Sequence, residues 1–336
     1  MKRRDFVRSL SYITGGIAVT SYTIASNISV NKPICIGIST DIHKDIMPDA
    51  DERLKVFLNT AQMRKVDFVI DLGDFCFTKK ENNGFIDIWN SSPLKKYNVL
   101  GNHDMDTGTK KDFMQFTGMK KPYYSFDIGD LHFIVLDPNN LYVDGEYIPY
   151  ANANFYRPAR HRGFVDPQQL EWLKQDLTKT EKQCIVFSHQ NLEEPEGCNN
   201  SDLVREIFAE ANKKAEFQKV IAAFNGHHHV DGSKQLDDIQ YVHINSMSYV
   251  WVGEKYQCAE RYSDEINKKY PSLKNTIPFK EPLFAIVTIS KGQILIEGVS
   301  SSFINPNPGE LGMNDTEANT YTPIISNKKL KTATNY

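Results

Sequence analysis

The sequence predicts an α/β fold, and two observations carry the prediction. Beyond residue 30, short apolar runs alternate with stretches of helical spacing, the pattern of parallel strands joined by crossing helices. Five short polar stretches, each directly after an apolar run, hold Asp, Asn and His: DIH at 41–43, GDFC at 73–76, GNHD at 101–104, SHQ at 188–190 and GHHH at 226–229. In open α/β sheets, ligands gather beyond the carboxyl ends of strands, so these stretches are candidates for a shared site.

PICIGIS (33–39) reads as a first buried strand. Leu54, Phe57, Leu58, Ala61 and Val66 recur at helical spacing over 51–66, an amphipathic helix. DFVIDLGD (67–74) and KYNVLGNHD (96–104) are the second and third strands. YYSFDIGDLHFIVLD (123–137) reads as a hairpin turning at Gly129-Asp130. Residues 138–165 form a long segment rich in Asn, Tyr, Pro and Arg, and loops of that length are functional or disordered. A helix follows, with Asp166 as cap, Pro167 in the first turn and Gln169 completing a capping pattern. QCIVFSH (183–189) is a strand, 201–213 a helix, and KVIAAFNGHHH (219–229) a strand running into a loop. The later strands, 239–246, 247–253, 282–290 and 293–299, are expected to be antiparallel.

The 336 residues suffice for one large α/β domain or two small ones. Hydrophobic content of 40% and charged content of 24% are ordinary for a soluble globular protein. A net charge of −3 provides no basic field for nucleic acid. Lys2, Arg3, Arg4 and Arg8 open the chain, and a weakly apolar run follows to Ser26. That run is too short and too rich in Gly, Ser and Thr to span a bilayer well. The pattern resembles a twin-arginine export signal, with an uncleaved tethering segment as the alternative. Residues 1–26 hold four basic and one acidic residue, so a chain cleaved there would carry −6 and, by expectation, no stable membrane span. The expected division is an export signal at 1–26, a main domain at 30–302 and a C-terminal tail or surface wrap at 303–336. The cysteines, Cys35, Cys76, Cys184, Cys198 and Cys258, are odd in number and widely spaced, which argues against a disulfide framework.

Carboxylate and amide oxygens mixed with imidazoles suit Mn, Fe or Zn better than Ca or a thiolate-bound metal. Taken singly, Asp41 or Asp74 could cap a turn, Asn102 could sit in one, and His189 could be a buried core histidine. Taken together, in this order, they resemble the calcineurin-like metallophosphoesterase superfamily, over roughly residues 33–300. The resemblance implies a four-layer α/β/β/α sandwich of two mixed sheets flanked by helices. It implies a metal-dependent hydrolase with two divalent ions. Asp41, His43 and His229 would hold the first ion, Asp74 would bridge, and Asn102, His189 and His227 would complete the second site. A shared water of lowered pKa would attack phosphorus in line. His103 would act as general acid for the leaving oxygen, with Asp104 orienting it.

Purple acid phosphatases resemble the pattern but carry Tyr three residues after the bridging Asp. Here that position is Phe77, which disfavours a purple Fe(III) site. His228 is expected to point away from the metals, and His132 and His243 to sit in the sheets rather than act as ligands. The order YYSF, LHFIVLD, QLEWLKQDL resembles, more loosely, the branch containing bacterial class III cyclic nucleotide phosphodiesterases and ADP-ribose/CDP-alcohol diphosphatases. The expected substrate is a small-molecule phosphoester (monoester, diester or diphosphate), and the expected location is the periplasm or cell surface of a bacterium. In the 138–165 insert, Arg157, Arg160, His161 and Arg162 lie among Tyr147, Tyr150, Phe155 and Tyr156, a mixture suited either to clamping a phosphate beside a flat ring or to an irregular surface loop. The competing classes are a non-catalytic interaction module of the same fold, a metal-dependent nuclease, and a phosphatase of phosphoproteins or lipids.

Overall fold

Two mixed six-stranded sheets face each other, and helices cover the outer side of each. The computed structural model describes residues 32–215 and 217–333. The expected export signal at 1–26 lies outside the described residues. Among them, no helix is long and apolar enough to cross a membrane.

In chain order, β1 (Ile34–Ser39), α1 (Ala50–Met63), β2 (Phe68–Asp71), α2 (Asn83–Ser91) and β3 (Lys96–Asn98) come first. α3 (Lys110–Thr117) precedes the hairpin of β4 (Tyr124–Ile128) and β5 (Leu131–Val135), then a second hairpin of β6 (Asn140–Val143) and β7 (Glu146–Pro149). α4 (Pro167–Lys179), β8 (Gln183–Phe187), α5 (Ser201–Lys214) and β9 (Val220–Asn225) continue the alternation. β10 (Gly232–Leu236), β11 (Ile239–His243), β12 (Tyr249–Trp251), α6 (Asp264–Lys269), β13 (Thr276–Pro278), β14 (Ala285–Ser290), β15 (Gln293–Gly298), α7 (Asp315–Thr320) and β16 (Lys328–Lys331) complete the described chain.

The first sheet runs β16-β15-β14-β1-β2-β3, and the second β10-β11-β9-β8-β5-β4. β1, β2 and β3 are mutually parallel, as are β5, β8, β9 and β11. Strands covered on both faces must be apolar on both. Phe68 and Ile70 of β2 accordingly enter the core between the sheets, while Val69 faces the helices. Phe68 meets the rings of Tyr97, Phe126 and Phe133 edge-on, with centroids 5.2–5.5 Å apart. Truncating such a buried ring costs about 3–5 kcal/mol. Leu54, Phe57 and Ala61 of α1 and Trp89 of α2 cover the first sheet; Leu173 and Leu177 of α4 and Val204 and Phe208 of α5 cover the second.

Local signals agree with these boundaries. The Asp166 side chain accepts from the Gln169 amide at 3.0 Å, with Pro167 at the first helical position. Thr109 and Asp112 form a capping box at α3, and Gly118 ends that helix in the left-handed conformation. The hairpin turns at Gly129-Asp130 as expected.

The later strands differ in part from expectation. β14 and β15 are antiparallel, but β11 lies parallel to β9. The return between them is made by β10, which sits at the sheet edge and pairs antiparallel to β11. The segment after 303 is more than a surface wrap. Met313 and Ile325 enter the core between the sheets, and β16 becomes an edge strand of the first sheet. Lysines along that edge discourage further pairing. All five cysteines are free.

Candidate metal centre

Five strand ends deliver the polar side chains to one place. Asp41 and His43 follow β1, Asp74 follows β2, Asn102 and His103 follow β3, His189 follows β8, and His227 and His229 follow β9. The loops interlock through main-chain hydrogen bonds: Asp41 N to Gly73 O at 2.9 Å, His43 N to Asp74 O at 3.0 Å, and Gly226 N to His189 O at 3.1 Å. Two glycines are required by close approach. A Cβ on Gly101 would sit 2.1 Å from the Asp74 nitrogen, and one on Gly226 would sit 2.0 Å from Thr40 Oγ1. Asp41, His43, Asp74, His227 and His229 all have positive φ, between 50° and 70°. Such backbone costs on the order of 1–3 kcal/mol per residue and concentrates at functional sites.

The side chains fall into two groups. In the first, His229 Nε2 lies 3.1 Å from Asp41 Oδ1 and 3.2 Å from His43 Nε2. In the second, His189 Nε2 lies 3.1 Å from Asp74 Oδ2 and 3.2 Å from His227 Nδ1. Asp74 Oδ2 is also 3.7 Å from His43 Nε2, so this carboxylate touches both groups. The outer ring nitrogens are fixed by main-chain acceptors: His189 Nδ1 donates to Leu72 O and His229 Nδ1 to Tyr249 O, each at 2.9 Å. A carbonyl can only accept, so Nδ1 carries a proton, and in the neutral ring the Nε2 lone pair faces inward. Asn102 Oδ1 is buried without a hydrogen-bond partner. Imidazole lone pairs aimed at each other, two carboxylates and an orphaned amide oxygen form a set that divalent cations satisfy.

The electrostatics agree. Burial pushes the Asp41 carboxyl up, but His229 and His189 outweigh it and hold it well below the ordinary range. Burial opposes ionisation of Asp74 too, and His189 and His103 reverse that. Burial pushes His189 down, yet Asp74 and Asp41 raise it to about 10. Burial and His189 push His227 well below its usual value. Two buried anions thus draw positive charge into the site, and a bound cation would compete with the proton on His189.

His103 stands beside these groups. Its amide donates to Asp74 Oδ1 at 2.8 Å, and its Nδ1 lies 2.9 Å from Asp106 Oδ2. The expected role of Asp104 is therefore corrected. Its Oδ2 accepts from Gly101 N at 2.8 Å and its Oδ1 from Phe75 N at 2.7 Å, so it ties two loops together instead of holding the imidazole. In the 3₁₀ turn His103–Met105, the residue three positions on returns to His103 while the next residue points inward. Burial pushes the His103 pKa down, but Asp74 and the hydrogen bond to Asp106 overcome it and raise it.

Phe77 lies beside His43, Asp74 and His103 and presents only a hydrocarbon ring. His228 bonds Asn191 at 3.1 Å, His132 pairs with Asp127 and Asp176, and His243 pairs with Glu193; none of the three joins the two groups. The 138–165 insert, expected to be a long loop, contains the β6–β7 hairpin and carries Tyr156 to within 6.2 Å of the His103 ring, centroid to centroid. Asp106 and Tyr249 are absent from the residues that the sequence marks out for the site. Asp106 alone had a local signal, as a second carboxylate three residues after the histidine.

The family profile for calcineurin-like phosphoesterases matches residues 36–231, more than half of the chain. The chain belongs to this family. Members of the calcineurin-like phosphoesterases normally use a dinuclear metal centre, and the two donor groups correspond to one. Among solved structures, the chain is similar to a dimetal phosphatase from Danio rerio, with 14% identity, 81% of this chain and 98% of that chain covered, and a TM-score of 0.56. It is also similar to GAP50, the anchor in the inner membrane complex of Plasmodium, with 14% identity, 90% of each chain covered and a TM-score of 0.50. At these identities the likeness is one of fold. No curated protein matches the chain.

Proposed function

We propose that this calcineurin-like phosphoesterase hydrolyses a phosphoester bond of a small phosphorylated or nucleotide-like substrate. The observation that carries the reading is the contact of Asp74 with both donor groups while its other oxygen receives the His103 amide. Asp41, His43 and His229 would hold one divalent ion, Asn102, His189 and His227 the other, and Asp74 would bridge. Bound there, Mn, Fe or Zn would supply an activated water and neutralise phosphoryl charge. Asp74 serves twice, because its two oxygens point to different partners and its ligating geometry is coupled to the His103 backbone. His103, whose charged form Asp74 and Asp106 favour, would donate a proton to the leaving oxygen, a contribution typically of about 10²–10⁴ in rate. Asp106 holds the ring so that its second nitrogen is free for that transfer.

A non-catalytic module of this fold has no need of these groups, and all are present here, which favours the enzyme. Metal analysis and a hydrolysis panel test the reading together. Purified protein should hold two ions per chain and, with Mn, Zn or Mg supplied, should cleave at least one of a monoester, a bis-ester, cyclic AMP or ADP-ribose. Metal-loaded protein inert toward all of these would favour the interaction module. Export through the basic start at Lys2–Arg8 belongs to the same proposal; recovery of the full chain in the cytosolic fraction would remove it.

A further inference from the structure

A cavity of 160 Å³ opens beside the metal centre, between the 138–165 insert and the loop after β8. Asn102, His103 and His227 line it from the metal side, and Tyr156 and Arg162 line it from the insert. The insert is held in place by its backbone. Asn199 Nδ2 donates to Ala159 O at 2.7 Å and to Arg162 O at 2.6 Å, and Asn200 Nδ2 donates to Val165 O at 2.8 Å. The Arg162 side chain is different. Among the described residues its hydrogen bonds are all made by the main chain, which leaves the guanidinium for the cavity. Tyr156 is 64% exposed at the same rim, a large aromatic ring in water directly beside His103.

An arginine without a protein anion, facing a cavity that adjoins a phosphoester site, is the arrangement that takes a carboxylate or a phosphoryl group through its fork of donors. An exposed aromatic face beside it suits a flat ring. Glu196 lines the cavity from the opposite loop and repels an anion there, which confines the negative group to the insert side. We propose that Arg162 and Tyr156 determine specificity by binding the leaving group, and that this leaving group carries a second anionic group together with a planar ring. The inference rests on the phosphoesterase reading and narrows it. Esters of neutral alcohols become poor substrates, and diphosphates or anionic aryl esters become good ones.

The test compares phenyl phosphate, 4-carboxyphenyl phosphate and ADP with the metal-loaded enzyme. The two charged substrates separate a carboxylate from a phosphoryl group as the recognised anion. Wild type should prefer at least one of them over phenyl phosphate by more than tenfold in kcat/KM. In Arg162→Met that preference should fall at least tenfold, and in Tyr156→Leu severalfold. Calorimetry with α,β-methylene-ADP provides a readout independent of turnover, with affinity for the preferred anion class at least tenfold weaker in Arg162→Met; Arg162→Gln replaces it should the methionine variant misfold. A preference and an affinity unchanged by both arginine variants would overturn the proposal. Failure of wild type to hydrolyse any of the three substrates would count against the phosphoesterase reading, while calorimetry would still judge the cavity.

Discussion

His103 Nδ1 lies 2.9 Å from Asp106 Oδ2, three residues further along the chain, while Asp104 between them turns into the protein. Asp106 therefore holds the imidazole ring and favours its charged form. Asp106→Asn keeps the shape and removes the charge. It should lower kcat by about tenfold or more on an alkyl phosphoester, within the range that general acids supply. The loss should be small for a nitrophenyl ester, whose leaving group needs little protonation. The alkaline limb of the pH–rate profile should move to lower pH, because an anion that stabilises the imidazolium is gone. Equal losses on both esters with an unmoved profile would mean that Asp106 only shapes the loop.

Asp104→Ala should behave in the opposite way. It leaves the buried amides of Gly101 and Phe75 without their acceptor, at about 1–3 kcal/mol for each unpaired group. The melting temperature should drop by several degrees, whereas Asp106→Asn should leave it nearly unchanged. Thermal unfolding of the two proteins side by side decides the matter; equal melting temperatures would contradict the division of labour.

Asp74 touches both donor groups, and His229 belongs to one of them. Asp74→Ala should therefore reduce bound metal from two ions per chain to below one, and His229→Ala should leave about one. Elemental analysis of dialysed protein measures this directly. An Asp74→Ala protein that keeps both ions would remove Asp74 as the bridge.

The strand ends were legible because strands covered on both faces must be continuously apolar, and the polar candidate donors break such runs abruptly. That signal located Asp41, Asp74, Asn102, His189, His227 and His229, and it separated them from His132 and His243, which lie within strands. The same local reasoning could not see how β11 pairs. Its alternation fits a parallel or an antiparallel neighbour, and the choice depends on where β10 makes its return. Nor could it choose between Asp104 and Asp106, since HDMD offers both carboxylates and only the tightness of the 3₁₀ turn selects one. Tyr156 and Arg162 were visible as residue types in the insert. Their approach to His103 depends on hydrogen bonds from Asn199 and Asn200, some forty residues away in sequence.

Two glycines separate fold from site. A Cβ on Gly226 would lie 2.0 Å from Thr40 Oγ1 and 2.5 Å from Asp41 Oδ2, so Gly226→Ala must displace a carboxylate of the first donor group. Metal affinity should fall at least tenfold. Gly84, inside α2, has nothing within 4 Å of such a Cβ. Gly84→Ala should raise stability by about 0.5–1 kcal/mol through helix propensity and leave metal binding alone. Metal titrations and denaturant unfolding of both variants check the pair; unaltered affinity in Gly226→Ala would show that the loop yields without cost.

Away from the metals, His132 joins β5 to two acidic neighbours, with Nδ1 2.6 Å from Asp127 and Nε2 2.8 Å from Asp176. Burial pushes its pKa down, but the hydrogen bonds to Asp176 and Asp127 prevail and raise it above the unfolded value of about 6.5. A raised folded pKa means that the folded state binds the proton more tightly. The resulting stability is complete below about pH 6.5 and fades as pH climbs through the folded pKa. Because Asp127 is half-exposed, solvent screens the pair and the contribution is on the order of 1 kcal/mol. His132→Gln should therefore lose more unfolding free energy relative to wild type at pH 6 than at pH 9. Urea unfolding at the two pH values measures the difference, and a penalty that is constant or larger at pH 9 would show that His132 acts here by packing alone.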